Sequence, residues 1–365
     1  MERSADVVVV GAGTIGGWAS YFAARGGAER VVVVERDVAG YGASSRAAGI
    51  VRAQGGSPLT VKLGRWSIDF YNQQPTLLGT DSGFQELGYL LLAITEEDER
   101  TGLERVRMQR EAGLDVRWLD ASEATRTAQL LAPEGHRGGS YVATDGCIDP
   151  PRNVRAYSLA MRSAGVHLHE RTPCIGFEVS GSPGARRVTG VRTREGTIST
   201  ERVIITGGPG LQSLGKMLDA RIPVGGARHQ VAVTEPHPTL EVERLPMVFD
   251  VGAGLYWRLE EGGLLFGMSN PDEEPGPARA IDWDYLEGMR KRLAELCPTT
   301  DGLALRKVWA ATIDYTPDHL PILGPAITSE GDVVEGAIVA AHTLRNARPS
   351  VMGHSSASLL RMPSR

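Results

Sequence analysis

The sequence predicts an α/β fold made of two units: a Rossmann-like unit gathered from separated stretches of chain, and a second unit with a mostly antiparallel sheet. Three observations predict it. Residues 7–37 read as strand, glycine turn, helix and strand; residues 217–305 change to strand-like runs around one helix; and a last strand-like run, 337–341, is assigned to the first unit. With 365 residues, 41% of them hydrophobic, the chain can bury a core large enough for two compact units.

The first element is the four valines at 7–10, followed by "GAGTIG" at 11–16. Gly11 allows the tight turn, Gly13 lets the backbone approach a pyrophosphate, and Gly16 lets helix and strand pack closely. Thr14 and Ile15 open the helix "WASYFAARGG", whose N-terminus faces the phosphates. The strand "VVVVERD" at 31–37 ends in Glu35, placed to accept hydrogen bonds from a ribose diol, with Arg36 beside it. A GxGxxG turn alone does not separate NAD from FAD.

The next stretch, "GYGASSRAAGIVR" at 40–52, is a loop of small residues directly after the ribose strand. Here the chain resembles the D-amino-acid oxidase superfamily of flavoproteins, in its glycine oxidase and sarcosine oxidase branch. The resemblance implies that Ala43, Ser44, Ser45, Arg46, Ala48, Gly49 and Ile50 wrap the FAD pyrophosphate and lead to the flavin ring. It continues through "LGYLLLA" (87–93), residues 145–178, "ERVIITGGPG" (201–210) and "WAATIDYTPDHLPILGP" (309–325). By the same resemblance, Cys174 meets the adenine end through its backbone, and Gly207 and Gly208 close the dinucleotide domain. The implied domains are 1–88, 147–216 and 306–365 for FAD, and 89–146 with 217–305 for substrate.

In the substrate unit, "HQVAVTE", "GLYWRLE" and "GLLFGMS" read as strands, and Ile281, Tyr285, Met289 and Leu293 recur every four residues as the core stripe of a helix. A flavin amine oxidase needs anchors rather than a triad, because the cofactor carries the chemistry. An arginine fork is the natural anchor for a carboxylate.

The resemblance places that role on Arg345, in "AHTLRNA" at 341–347, with His342 and Asn346 against the flavin. Ala341 and Ala347 stand where the family has glycines, and Ile313 replaces a second arginine. Tyr256 matches a substrate-contacting tyrosine. Arg258, two residues on and on the same strand face, is either a replacement anchor or an ordinary strand residue. Arg52 is open to phosphate, substrate or solvent. Arg46 and Ala311 stand where relatives attach flavin covalently, so non-covalent FAD is expected, and Leu265 occupies the place of an oxygen-activating lysine.

The remaining signals read as structural. His167 and His169 alternate on a strand without a third ligand, so no metal is expected. His229 reads as a hydrogen-bonded structural histidine, and the three cysteines, without CxxC spacing, as reduced. Acidic residues number 44 against 39 basic ones, with no long run of either sign, which argues against a nucleic-acid partner. The absence of a long apolar stretch and of a signal peptide predicts a cytoplasmic protein without membrane attachment. A homo-oligomer is left open.

The expected reaction is oxidation of the C–N bond of glycine or an N-substituted glycine to an imine, then glyoxylate and free amine, with oxygen reduced to hydrogen peroxide. The loss at Ile313 favours a bulky N-substituent, such as an N-carboxymethyl amino acid in a biosynthetic pathway. The alternatives are an FAD-dependent amino-acid dehydrogenase using another acceptor, a non-catalytic flavoprotein, and an NAD-linked dehydrogenase.

Overall fold

The structure, a computed structural model, describes residues 2–341 apart from 244, 271, 274, 275, 277–279 and 319. Strand β1 (Val7–Val10), helix α1 (Thr14–Arg25) and strand β2 (Val31–Val34) form the opening βαβ unit. All eight valines are buried. A parallel strand covered on both faces needs apolar residues at every position, which is why these strands are unbroken runs rather than alternations. β1 pairs in parallel with β2 on one side and with Val203–Ile205 on the other; Val333–Ala341 and His167–His169 extend the sheet in parallel beyond them. Five strands that touch in space thus come from four distant parts of the chain. An antiparallel ribbon, Cys174–Ser180, Arg187–Thr193 and Gly196–Ser199, joins the outer side of Val333–Ala341.

The second sheet has eight strands, in the order Leu305–Tyr315, Gly225–Thr234, Gly263–Met268, Tyr256–Glu260, Met247–Asp250, Tyr89–Leu92, Gly139–Val142 and Arg117–Leu119. Only the contact of Met247–Asp250 with Tyr89–Leu92 is parallel. The expected division at residue 305 cuts Leu305–Tyr315 from the sheet to which it bonds along its whole length. Dividing by sheet membership instead, we propose that the last Rossmann-like segment starts after Tyr315.

Side chains alternate between the two faces of this sheet. On the rear face Leu90, Trp257 and Phe266 pack against the helix Trp283–Leu296, started by the Asp282 side chain, which accepts from the Tyr285 backbone N–H. Met289 and Leu293 of the expected stripe are buried there, with Ile281 and Tyr285 at its margin. Met289→Ala is expected to cost about 2–5 kcal/mol through the cavity it leaves; an unchanged urea midpoint would take Met289 out of the core. The front face carries Tyr89, Leu91, Val231, Tyr256 and Leu265 and packs on Ala48 of the small-residue loop.

The long helix Pro58–Leu78 follows that loop. Ser57 and Thr60 form a capping box at its start, and Gly79, with φ 64°, ends it in the left-handed conformation. Its inner side buries Val61 and Ile68. Among the described residues no helix is long and apolar enough to cross a membrane.

Candidate active site

The turn after β1 is compressed. Gly11 has φ 104°, and a Cβ on Gly16 would stand 1.9 Å from the Gly11 carbonyl oxygen. Thr206 locks the turn from the neighbouring strand, its hydroxyl donating to the Val10 and Gly11 carbonyls at 3.0 Å each. Gly13 is the N-cap of α1 and brings no capping side chain of its own. The next backbone N–H, that of Thr14, donates to Ser44 Oγ at 2.9 Å, so the small-residue loop closes over the helix N-terminus. Ile15 lies in the first turn of α1 and is half-buried.

At the end of β2 the Glu35 carboxylate accepts from the Ala12 N–H at 2.7 Å and the Asp37 N–H at 2.9 Å, which fixes it beside the turn with oxygen lone pairs to spare. Arg36 is exposed and close to Asp37. Gly207 and Gly208 follow Thr206, the second at φ 53°. A bare-backbone turn, a helix N-terminus with Ser44 on its first N–H, and a fixed carboxylate fit the pyrophosphate and ribose of FAD. Cys174 lies at the start of its strand, paired with Thr193 across the ribbon.

The loop then runs onto the front face of the second sheet and is held there at several points. The Ser45 N–H donates to Gly40 and the Arg46 N–H to Ala43. The Arg46 side chain folds back over the Tyr41 ring and onto the Tyr41 and Gly42 carbonyls, while its own carbonyl accepts from Trp309 Nε1 at 2.8 Å. Arg258 reaches the Ala48 carbonyl through Nε and Nη2, at 3.4 and 3.2 Å. Gly49, at φ 78°, leaves no room for a Cβ beside the Ile148 carbonyl, and Ile50 pairs with Cys147 in a short strand. Asp145, fully buried, accepts from the Ala53 and Gln54 N–H groups, and burial pushes its carboxyl up to about 6.

Tyr256 and Arg258 share the front face as their spacing requires, but their partners differ from a simple anchor pair. Nη1 of Arg258 donates to the Leu259 carbonyl and the Glu260 carboxylate. The Tyr256 hydroxyl bonds to His229 Nε2 at 2.6 Å, and His229 Nδ1 to Ser269 Oγ at 2.7 Å. Residue spacing carried no sign of this chain; it depends on the registers that set Tyr256 against Gly267 and Gln230 against Met268, across the strand between them. Arg52 is held differently. Its guanidinium stands 5.6 Å from the centroid of the Tyr89 ring. Among the described residues no hydrogen bond or ion pair engages its side chain. Ile313 is buried next to Ala311 on the same strand. His342, Arg345 and Asn346 lie outside the described residues.

Burial pushes the His229 imidazole down to about 4, so it is neutral at ordinary pH. An unfolded histidine titrates near 6.5, so between these values the unfolded chain binds the extra proton and stability falls as pH drops. About 3 kcal/mol should be lost from this group across that window. His229→Asn should unfold with a shallower acid dependence over the same range; identical slopes for the two proteins would mean that His229 titrates normally.

His167 and His169 both turn to the Glu2 carboxylate, the first at 2.7 Å. The three cysteines are free, and burial raises the thiols of all three.

Comparison with known proteins agrees with this architecture. The chain is 27% identical over 323 residues to 4-methylaminobutanoate oxidase (formaldehyde-forming) of Paenarthrobacter nicotinovorans, covering 85% of this chain and 38% of that protein. It therefore spans well under half the length of that relative. Glycine oxidase of Geobacillus kaustophilus is 29% identical over 356 residues, 95% of this chain and 89% of its own. The crystal structure of L-proline dehydrogenase from P. horikoshii superposes with a TM-score of 0.84 at 22% identity, over 93% of this chain and 88% of that one, and shows the shared fold. The family model DAO, FAD dependent oxidoreductase, matches residues 6–345. With nearly the whole chain matched, the protein belongs to the DAO family of FAD-dependent oxidoreductases.

Proposed function

We propose that the protein oxidises the C–N bond of a small amine that carries a carboxylate, with glycine and N-substituted glycines as the substrate class. The observation that carries this reading is the Arg52 guanidinium, which among the described residues makes no hydrogen bond or ion pair, although its charge is felt by the buried Asp145 carboxyl. It stands over the Tyr89 ring, on the sheet face that meets the flavin loop, while the Arg258 fork is taken up by Ala48, Leu259 and Glu260. Burying a carboxylate needs a planar donor pair, and Arg52 is the arginine on this face that can offer one. Arg345 remains a second candidate anchor outside the described residues. Arg258 serves as a positioning residue, holding the Ala48 carbonyl and with it the loop.

Bound FAD would supply the hydride acceptor. The chain's own residues bind and orient. Arg52 fixes the carboxylate end of the substrate. Tyr256, its hydroxyl bonded to neutral His229, lies on the same sheet face as Tyr89. Ile313 and Ala311 leave an apolar wall, which suits a substituent on nitrogen better than a second charge and supports an N-alkyl or N-carboxymethyl amino acid over free glycine. The relative named for a methylaminobutanoate points toward secondary amines as well. Placement of this kind can supply much of the acceleration.

Oxygen is the proposed acceptor. A dehydrogenase reading is favoured by one observation: Leu265, buried and apolar, faces the loop where a lysine would assist oxygen.

Anaerobic mixing of the purified flavoprotein with glycine, sarcosine, longer N-substituted glycines and D-alanine tests both. Bleaching of the flavin band by N-substituted glycines, but not by the matching amines without a carboxylate, is expected. Bleaching by amines regardless of the carboxylate would remove Arg52 from its role. Slow return of colour in air would select the dehydrogenase.

A further inference from the structure

The helix Pro58–Leu78 presents a second pattern on its outer side. Leu59, Leu63, Trp66, Phe70, Gln73 and Leu77 follow one another at intervals of four and three residues, the spacing of a helix–helix seam. Leu59, Leu63, Trp66 and Leu77 are 65%, 46%, 56% and 62% exposed. Phe22 of α1 widens the stripe, its ring 5.7 Å from that of Trp66. Spread along a helix about 30 Å long, these side chains make an apolar patch on the order of 500 Å², near the upper end of what monomers expose.

We infer that this seam is where a second copy of the chain docks, by antiparallel pairing of Pro58–Leu78 with itself about a two-fold axis. Charge selects the second copy. Lys62 and Asp69 are exposed on the same flank of the seam, and among the described residues neither has an ion-pair partner. Arg65 is turned aside, donating to the Gly113 carbonyl at 3.0 Å.

A two-fold axis makes every contact reciprocal. With the axis near Arg65 and Trp66, Lys62 meets Asp69 of the second copy and Asp69 meets its Lys62. The same register sets Leu63 against Trp66 and Leu59 against Phe70 of the second copy. In this register Leu59, Leu63, Trp66 and Phe70 pair, while Leu77 lies beyond the start of the partner helix. The seam lies on the outer side of the helix, opposite Val61 and Ile68, so pairing leaves the flavin loop and the front sheet face free.

Sedimentation velocity on the flavin-loaded protein over a wide concentration range tests the pairing. The wild type is expected to form a dimer, and Trp66→Glu to weaken it by at least about tenfold, with flavin spectrum and turnover unchanged. Lys62→Asp and Asp69→Lys should each weaken the dimer, and the double exchange should restore it. A monomer at every concentration would overturn the inference, as would a dimer indifferent to Trp66→Glu. A double exchange no tighter than the single ones would reject the antiparallel register. A monomer in which Trp66 is protected from hydroxyl-radical footprinting would assign the seam to the chain's own remaining residues instead.

Discussion

Arg52→Met is expected to raise KM for a carboxylate-bearing amine by about 30-fold or more, since truncating one member of a buried charge pair costs roughly 2–5 kcal/mol. Methionine keeps much of the apolar length that lies over Tyr89 and removes the fork. Turnover at saturation should fall less than kcat/KM, because the lost contact orients the substrate and takes no part in bond breaking. Amines without a carboxylate should be oxidised no worse than before. The flavin spectrum should be unchanged, since Arg52 has no bond to the loop that covers the turn. Unchanged KM would hand the anchoring role to Arg345. Arg258→Met should behave differently, because it releases the Ala48 carbonyl: flavin retention should weaken together with turnover.

Gly16→Ala is expected to yield a colourless or poorly folded protein. The added methyl would fall 1.9 Å from the Gly11 carbonyl oxygen and 2.5 Å from the Thr206 hydroxyl, two groups already bonded to each other. Neither can yield without opening the turn, so the cost should reach or exceed the roughly 1–3 kcal/mol of ordinary overpacking. Flavin content per chain and the thermal midpoint report the two effects separately. Gly288→Ala is the matched control: it lies within Trp283–Leu296, and nothing stands within 4 Å of its added methyl. It should raise stability by about 0.5–1 kcal/mol through helix propensity. A flavin-replete Gly16→Ala protein would show that the turn tolerates expansion.

The sequence by itself determined the opening strand, turn, helix and strand. Unbroken valine runs, glycines at three fixed places and a carboxylate after the second strand are local features, and the turn, the helix start and the parallel pairing follow from them. The four-residue stripe of the Trp283–Leu296 helix was legible for the same reason: its period is written in neighbouring residues. Sharing of one strand face by Tyr256 and Arg258 followed from their spacing alone.

The tertiary structure decided the rest. Whether Arg258 is free or engaged depends on the Ala48 carbonyl, 210 residues away in sequence. The link from His229 to Tyr256 depends on three strands taking one register. Placement of Leu305–Tyr315 in the second sheet depends on its partner, since an isolated apolar strand fits either sheet. Arg52 differs from Arg258 in what reaches it once the loop has docked: the Tyr89 ring for the first, the Ala48 carbonyl for the second. Local pattern fixes the elements because it acts over a few residues; the availability of a charged group is set by every chain segment that packs around it, and that is known only after folding.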